Sequence, residues 1–372
     1  MNLPKEILRS NEEAVLRLRA LYHSYGYTRF KVSKFEEYDL YAHNKSFLVC
    51  ENILTFTDTN GKLMALKPDV TLSIVKNVGA EETATHKLCY SETVYRTAGG
   101  AEGFREIGQT GLECIGRIDP YLTGEVLMLA EKSLSLIGDR YVLDLSHMGF
   151  LLGLLASVGV EDRDVGAVLA LMANKNLPGL SAFLSERGLD GSALAAVTSV
   201  YEPLKSALPK LAEYVRGDKM QAAYDELLTI SRVAEAWGIL DSLYLDFSIA
   251  GDRNYYDGII FRGYVDGIPE AILLGGRYDS LIRKMGRRAE AIGFAVYPEL
   301  IDALDAPTAR YDVDAVLLYG DIDDVGDVIA AVNALEESGR TVRAERGETT
   351  AMRCRALYKM QGREAVLLET VD

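Results

Sequence analysis

Along Arg105-Glu106-Ile107-Gly108-Gln109-Thr110-Gly111-Leu112-Glu113, polar side chains recur at every second position. An extended chain sends alternate side chains to one face. Gln109 and Glu113 therefore share a face, with Gly111 between them leaving space. Asp69 and Thr71 stand two apart in the same way, and Arg96 closes the row Leu88, Tyr90, Glu92, Val94. Tyr255, Tyr256 and Tyr278 add hydroxyls and flat walls. Carboxylates can hold an ammonium, an arginine a carboxylate, and a glutamate or tyrosine an imidazole nitrogen. The set suits a zwitterion with a polar ring. The same spacing also describes a solvated sheet face, with Arg96 a surface charge beside a loop and the tyrosine hydroxyls in water. Spacing leaves both readings open.

The elements that would position these residues follow from periodicity and punctuation. A first helix is expected from Pro4 to about Tyr25, with Ile7, Val15, Leu16, Leu18 and Leu21 as its apolar positions and Gly26 as its stop. Phe30 to Phe35 begins as an alternating strand. Ile53 to Leu66 reads as a hairpin turning at Asn60-Gly61, ended by Pro68. Strands are expected at Lys87–Arg96 and Arg105 to about Ile115, a helix over Gly124–Ile137 and a strand at Tyr141–Leu145. From about 150 to 237 the chain turns Ala/Leu-rich and helical, which reads as an insertion. Strand signals return at Leu243–Ile249, Tyr255–Tyr264 and Ala271–Leu274, and Gly275-Gly276 reads as a tight strand-to-helix turn. Beyond Pro307, two strands flank the helix Val325–Ser338 and a final strand runs Ala365–Glu369. The expected class is α+β: a largely antiparallel sheet with flanking helices over 1–305, and a small α/β domain over 306–372. No Gly-x-Gly-x-x-Gly follows a strand, which argues against a doubly wound fold.

The bulk numbers narrow the function. The 372 residues suit two or three domains, and the hydrophobic share of 48% is ordinary for a globular protein. No apolar run is long enough to span a membrane, and the first residues lack a secretory core, so a cytoplasmic protein is expected. Four scattered cysteines and four scattered histidines offer no metal cluster, and no cofactor is expected. A net charge of −15 opposes binding to tRNA, which needs a basic footprint.

Five ordered motifs carry a resemblance. They are Leu66-Lys67-Pro68-Asp69-Val70-Thr71; Val94-Tyr95-Arg96; Phe104 through Glu113; Asn254-Tyr255-Tyr256-Asp257-Gly258; and Gly275-Gly276-Arg277-Tyr278-Asp279-Ser280-Leu281. Over roughly residues 1–301 the chain resembles histidyl-tRNA synthetases, which implies the class II synthetase fold, usually dimeric. The resemblance implies that Asp69 and Thr71 hold the ammonium, Asp replacing the usual Glu. It places Gln109 near the amino and carboxyl groups, Glu113 and Tyr256 against the imidazole, Tyr278 in the pocket wall, and Arg96 between amino acid and nucleotide phosphate; Tyr255, next to Tyr256, completes the candidate histidine-binding set.

The parts of that family's site aimed at ATP are altered. Ala98 stands where an adenine-holding Glu is usual, Gly103 and Gly251 where arginines are usual, and Leu300 where an arginine grips ATP. Arg253 is a possible substitute. One such group can be worth roughly 3–4 kcal/mol in the transition state, so losing several implies loss of activation. This combination resembles the ATP phosphoribosyltransferase regulatory subunits, a synthetase-like family. That resemblance implies a non-catalytic partner of a short catalytic subunit, a homodimer within a hetero-oligomer, with histidine as effector. The competing functions are an active histidine–tRNA ligase and an RNA-binding synthetase-like sensor.

Overall fold

The computed structural model describes residues 8–45, 48, 52–78, 85–97, 103–250, 255–304 and 311–370. The first helix, α1, runs Ser10–Ser24 and buries Ala14, Leu18 and Tyr22. That stripe has a spacing of four, so one helix face does the burying. Leu16, expected from sequence among the apolar positions, is exposed, and Ile7 lies outside the described residues. Gly26, at φ 81°, turns the chain out of the helix, a conformation that glycine adopts without a Cβ penalty. The strand expected at Phe30–Phe35 does not form there. Pairing is confined to β1 (Thr28–Arg29) and β2 (Phe35–Glu37).

After α2 (Tyr38–Ala42), the hairpin of β3 (Thr55–Thr57) and β4 (Leu63–Leu66) pairs Thr57 with Leu63. Asp58 Oδ1 accepts from the Asn60 and Lys62 N–H groups and holds the turn. Helix α3 (Thr71–Asn77) follows, then the long strands β5 (His86–Thr97) and β6 (Phe104–Gly116). Helix α4 (Pro120–Ser135) begins four residues before its sequence estimate. Pro120 occupies its first position, and Asp119 accepts the Leu122 N–H at 2.9 Å. Asp119→Ala is expected to lower stability by about 1 kcal/mol in urea unfolding; an unchanged midpoint would show that water replaces the cap.

Strand β7 (Tyr141–His147) leads into the insertion: α5 (Met148–Val158), α6 (Asp162–Ala173), α7 (Leu177–Ser185), α8 (Ser192–Thr198), the short strand β8 (Tyr201–Pro203), α9 (Leu204–Ala212) and α10 (Gly217–Trp237). The insertion is thus not purely helical. Strand β8 borders β9 (Leu243–Asp246), and its Pro203 fits an edge where one ladder donor is dispensable. Strands β10 (Ile259–Val265) and β11 (Leu273–Arg277), helix α11 (Asp279–Lys284) and strand β12 (Glu290–Val296) complete the core.

Nine of these strands form one sheet in the order β1-β5-β6-β12-β11-β10-β7-β9-β8. All neighbours are antiparallel except β1/β5 and β7/β9, so the expected mixed, largely antiparallel α+β architecture is observed. Two sequence expectations fail in this sheet. Tyr255 and Tyr256 precede β10 rather than lying in it. Gly275 and Gly276 sit inside β11, not in a turn, because a Cβ at either would fall within 2.6 Å of a Phe261 or Tyr256 ring atom.

The chain divides into two compact units, Met1–Leu304 and Asp305–Asp372. The second has β13 (Val313–Tyr319), α12 (Val325–Glu337), β14 (Val342–Arg346), β15 (Cys354–Gln361) and β16 (Glu364–Thr370), in the sheet order β14-β13-β15-β16. Strand β15 is not among the strands expected from sequence. Its central positions mix Arg355, Tyr358 and Lys359 with apolar residues, which blurs the period of two. Cys89 and Cys114 are buried thiols and Cys354 is half-buried; Cys50 lies outside the described residues. Among the described residues, no helix is long and apolar enough to cross a membrane.

Candidate functional site

Strand register decides which polar residues meet. Across β5, β6, β12, β11 and β10, Tyr90, Gly111, Ala295, Leu274 and Arg262 form one rung. Leu88, Glu113, Gly293, Gly276 and Ile260 form the rung two residues away, on the same face. That face carries a cavity of about 370 Å³, and all eight residues singled out from sequence line it. The volume falls within the range usual for small-molecule sites, about 300–1,000 Å³.

Asp69 and Thr71 do not reach the cavity from a strand, as their spacing suggested. Pro68 ends β4, Asp69 lies in the following turn, and Thr71 opens α3. The Leu72 N–H donates to Asp69 Oδ1 at 2.8 Å, so the carboxylate closes the first turn of that helix. Arg96, at the end of β5, donates from Nε to the Pro68 carbonyl at 2.6 Å, and its Nη2 stands 3.8 Å from Asp69 Oδ2. One guanidinium thus holds the turn and offsets the charge it presents. Burial raises the Asp69 pKa, while Arg96 and the Leu72 and Thr71 N–H groups oppose that rise. Beneath this turn, fully buried Lys67 pairs with Glu92.

Glu113 is engaged at both oxygens. The Thr71 hydroxyl donates to Oε1 at 2.8 Å, and the Tyr278 hydroxyl donates to Oε2. Burial pushes its pKa up to about 8, the two hydroxyl bonds lower it, and the charge on Asp69 adds to the rise. Near pH 7 this carboxyl is therefore mostly protonated and can both donate and accept. Gln109 donates from Nε2 to the Tyr297 hydroxyl at 3.1 Å. Tyr255 lies edge-on to Tyr256, with ring centroids 4.6 Å apart, and 5.7 Å from the Tyr278 centroid. Burial raises the pKa of all three phenols, so they act as neutral donors against an aromatic wall.

Gln109, Glu113 and Arg96 are each at most 9% exposed, which rules out the solvated-face reading of their alternation. Arg262, Tyr90 and Tyr297 also line the cavity and do not belong to the set selected from sequence. A signal for Arg262 exists: it is a lone charge in the run Ile259-Ile260-Phe261-Arg262-Gly263-Tyr264-Val265. Of the altered positions, Gly103 sits at φ 101° before β6, and Leu300 packs against the main core. Ala98, Gly251 and Arg253 lie outside the described residues.

Compared with known families, residues 2–301 match the profile described as Histidyl-tRNA synthetase. The chain belongs to the histidyl-tRNA synthetase family. Within it, a protein of Oceanobacillus iheyensis named ATP phosphoribosyltransferase regulatory subunit is 25% identical over 300 residues, spanning 79% of this chain and 73% of that one. A Bacillus halodurans structure described as an ATP phosphoribosyltransferase regulatory subunit/histidyl-tRNA synthetase superposes with a TM-score of 0.75 at 22% identity, covering 94% and 93% of the two chains. A Thermotoga maritima structure described as an ATP phosphoribosyl transferase (HisG:HisZ) complex gives 0.61 at 19% identity, covering 80% and 98%. At such identities these structures establish the class II synthetase-like fold of this family member and nothing finer.

Proposed function

We propose that this chain is the non-catalytic regulatory subunit of an ATP phosphoribosyltransferase in histidine biosynthesis, acting in the cytoplasm. It activates a short catalytic subunit and carries histidine feedback inhibition. The observation that supports this reading most directly is the state of the cavity. The amino-acid end is built, with Thr71, Tyr278 and Glu113 bonded together and Asp69 beside Arg96. At positions where the family aims groups at ATP, Gly103 offers no side chain and Leu300 offers a hydrocarbon. Such a cavity can bind histidine without activating it, and feedback sensing asks no more. The subunit acts as a homodimer within a hetero-oligomer.

Feedback requires that histidine favour one state of the assembly over another. A hundredfold preference shifts the equilibrium by about 2.7 kcal/mol, ample for inhibition. The test is co-purification with a short ATP phosphoribosyltransferase catalytic chain, followed by activity with and without histidine. Activity is expected to rise on mixing and to fall on adding histidine. Histidine-dependent ATP–pyrophosphate exchange by the purified chain, or no effect on the catalytic chain, would overturn the reading.

A further inference from the structure

Asp69, Arg96, Glu113 and Arg262 are the carboxyl and guanidinium side chains lining the cavity among the described residues. Three of the four are already committed. Arg96 donates to the Pro68 carbonyl and stands beside Asp69, so these two opposite charges offset one another. Glu113 is held by Thr71 and Tyr278. Arg262 differs: it is half-buried on β10 and makes no hydrogen bond or ion pair among the described residues. Asp144 faces it directly across the β10–β7 pairing without forming an ion pair. Burial and the neighbouring carboxylate of Asp246 push Asp144 up to about 7, against the lowering effects of Tyr201, Lys175 and Arg262 itself, so Asp144 only partly offsets the Arg262 charge. Asp246 is taken by Lys175, at 3.0 Å, and by the Ser248 N–H. The cavity thus carries a guanidinium fork with open donors in a partly desolvated place.

A guanidinium keeps its charge at any physiological pH and presents paired donors that match a carboxylate. We propose that Arg262 is the anion-binding residue of the cavity, and that the ligand it selects is an amino acid with a free carboxylate. Decarboxylated or reduced analogues lack the group it holds. The proposal rests on the cavity being the amino-acid pocket described above, and it assigns the ligand's acidic end to a residue on β10. The neutral amide of glutamine at 262 would still fill the space but would lose the charge-assisted bonds. Lysine would keep the charge and lose the fork.

The test is calorimetric titration of the full chain with L-histidine, with L-histidinol, in which a hydroxymethyl group replaces the carboxylate, and with histamine, which has neither. The parent is expected to prefer histidine to both analogues by at least about tenfold. Arg262→Gln should weaken histidine about 10- to 100-fold and leave histidinol unchanged, so that the preference collapses. Arg262→Lys should fall between, and matching thermal midpoints for the three proteins would show that the fold is intact. Equal weakening of histidine and histidinol by Arg262→Gln, or no weakening of either, would overturn the assignment. Running the other amino acids, each with its decarboxylated amine, separates the two layers of inference. Binding of a different amino acid would sink the imidazole reading yet still test Arg262 through that pair. Heat from no amino acid would sink both.

Discussion

Gly293→Ala is expected to destabilise the core by about 3 kcal/mol, the upper part of the range for overpacking a dense interior. A Cβ at this position would lie 1.8 Å from Glu113 Oε2 and 2.4 Å from the Leu112 carbonyl oxygen. The carboxyl could swing aside only by leaving Thr71 or Tyr278, and the carbonyl belongs to the neighbouring strand and cannot swing at all. The strands β6 and β12 would have to part where the cavity floor is made. Urea unfolding of the purified chain reads the loss, and histidine titration should show the pocket lost with it. Gly166→Ala is the matched control. That glycine lies inside α6, and a methyl group added there would meet nothing within 4 Å, so the change should stabilise by up to about 1 kcal/mol. A Gly293→Ala protein as stable as its parent would mean that the β6–β12 contact is looser than described.

The second large effect concerns protons. Glu113 has its pKa raised from 4.5 to about 8 by burial. A carboxyl whose folded pKa is raised adds stability that is fully present below the unfolded pKa. That stability drains away as pH climbs through the folded value. Glutamine cannot ionise and resembles the protonated acid in shape. Glu113→Gln should therefore be close to the parent in stability near pH 4.5 and increasingly the more stable protein up to about pH 9. At about 1.36 kcal/mol per pKa unit, the gain is on the order of 3–5 kcal/mol. Unfolding free energies at pH 5, 7 and 9 give the difference directly; a difference that stays flat would show that the carboxyl is ionised throughout. The same substitution should weaken histidine, since the acid's exchangeable proton lets it serve either imidazole nitrogen and the amide's fixed donor and acceptor do not.

Legibility varies along the chain for physical reasons. Strands β5 and β6 are readable almost to the residue because each has a long run with a clear period of two. Strand β12 escapes a reading by pattern because Ala291-Ile292-Gly293-Phe294-Ala295-Val296 is buried on both faces and shows no alternation. The same burial explains Gly275 and Gly276: a glycine pair reads as a turn until the rings filling the space above it are seen. Asp69 and Thr71 do belong with Gln109 and Glu113, but not for the reason their spacing suggests, since a helix start rather than a strand brings them in.

Residue identity alone is enough to reveal the family motifs, the polar set of the pocket and the Gly103 and Leu300 departures, because covalent order survives without coordinates. Whether Gln109 and Glu113 face water, whether Glu113 keeps its proton, and that Arg262 joins them from three strands away are all decided by the packed sheet. Alternation says which side chains share a face but not what covers that face. Desolvation and the proximity of charges are properties of the covered face, and they set both the protonation states and the open donors from which the pocket is made.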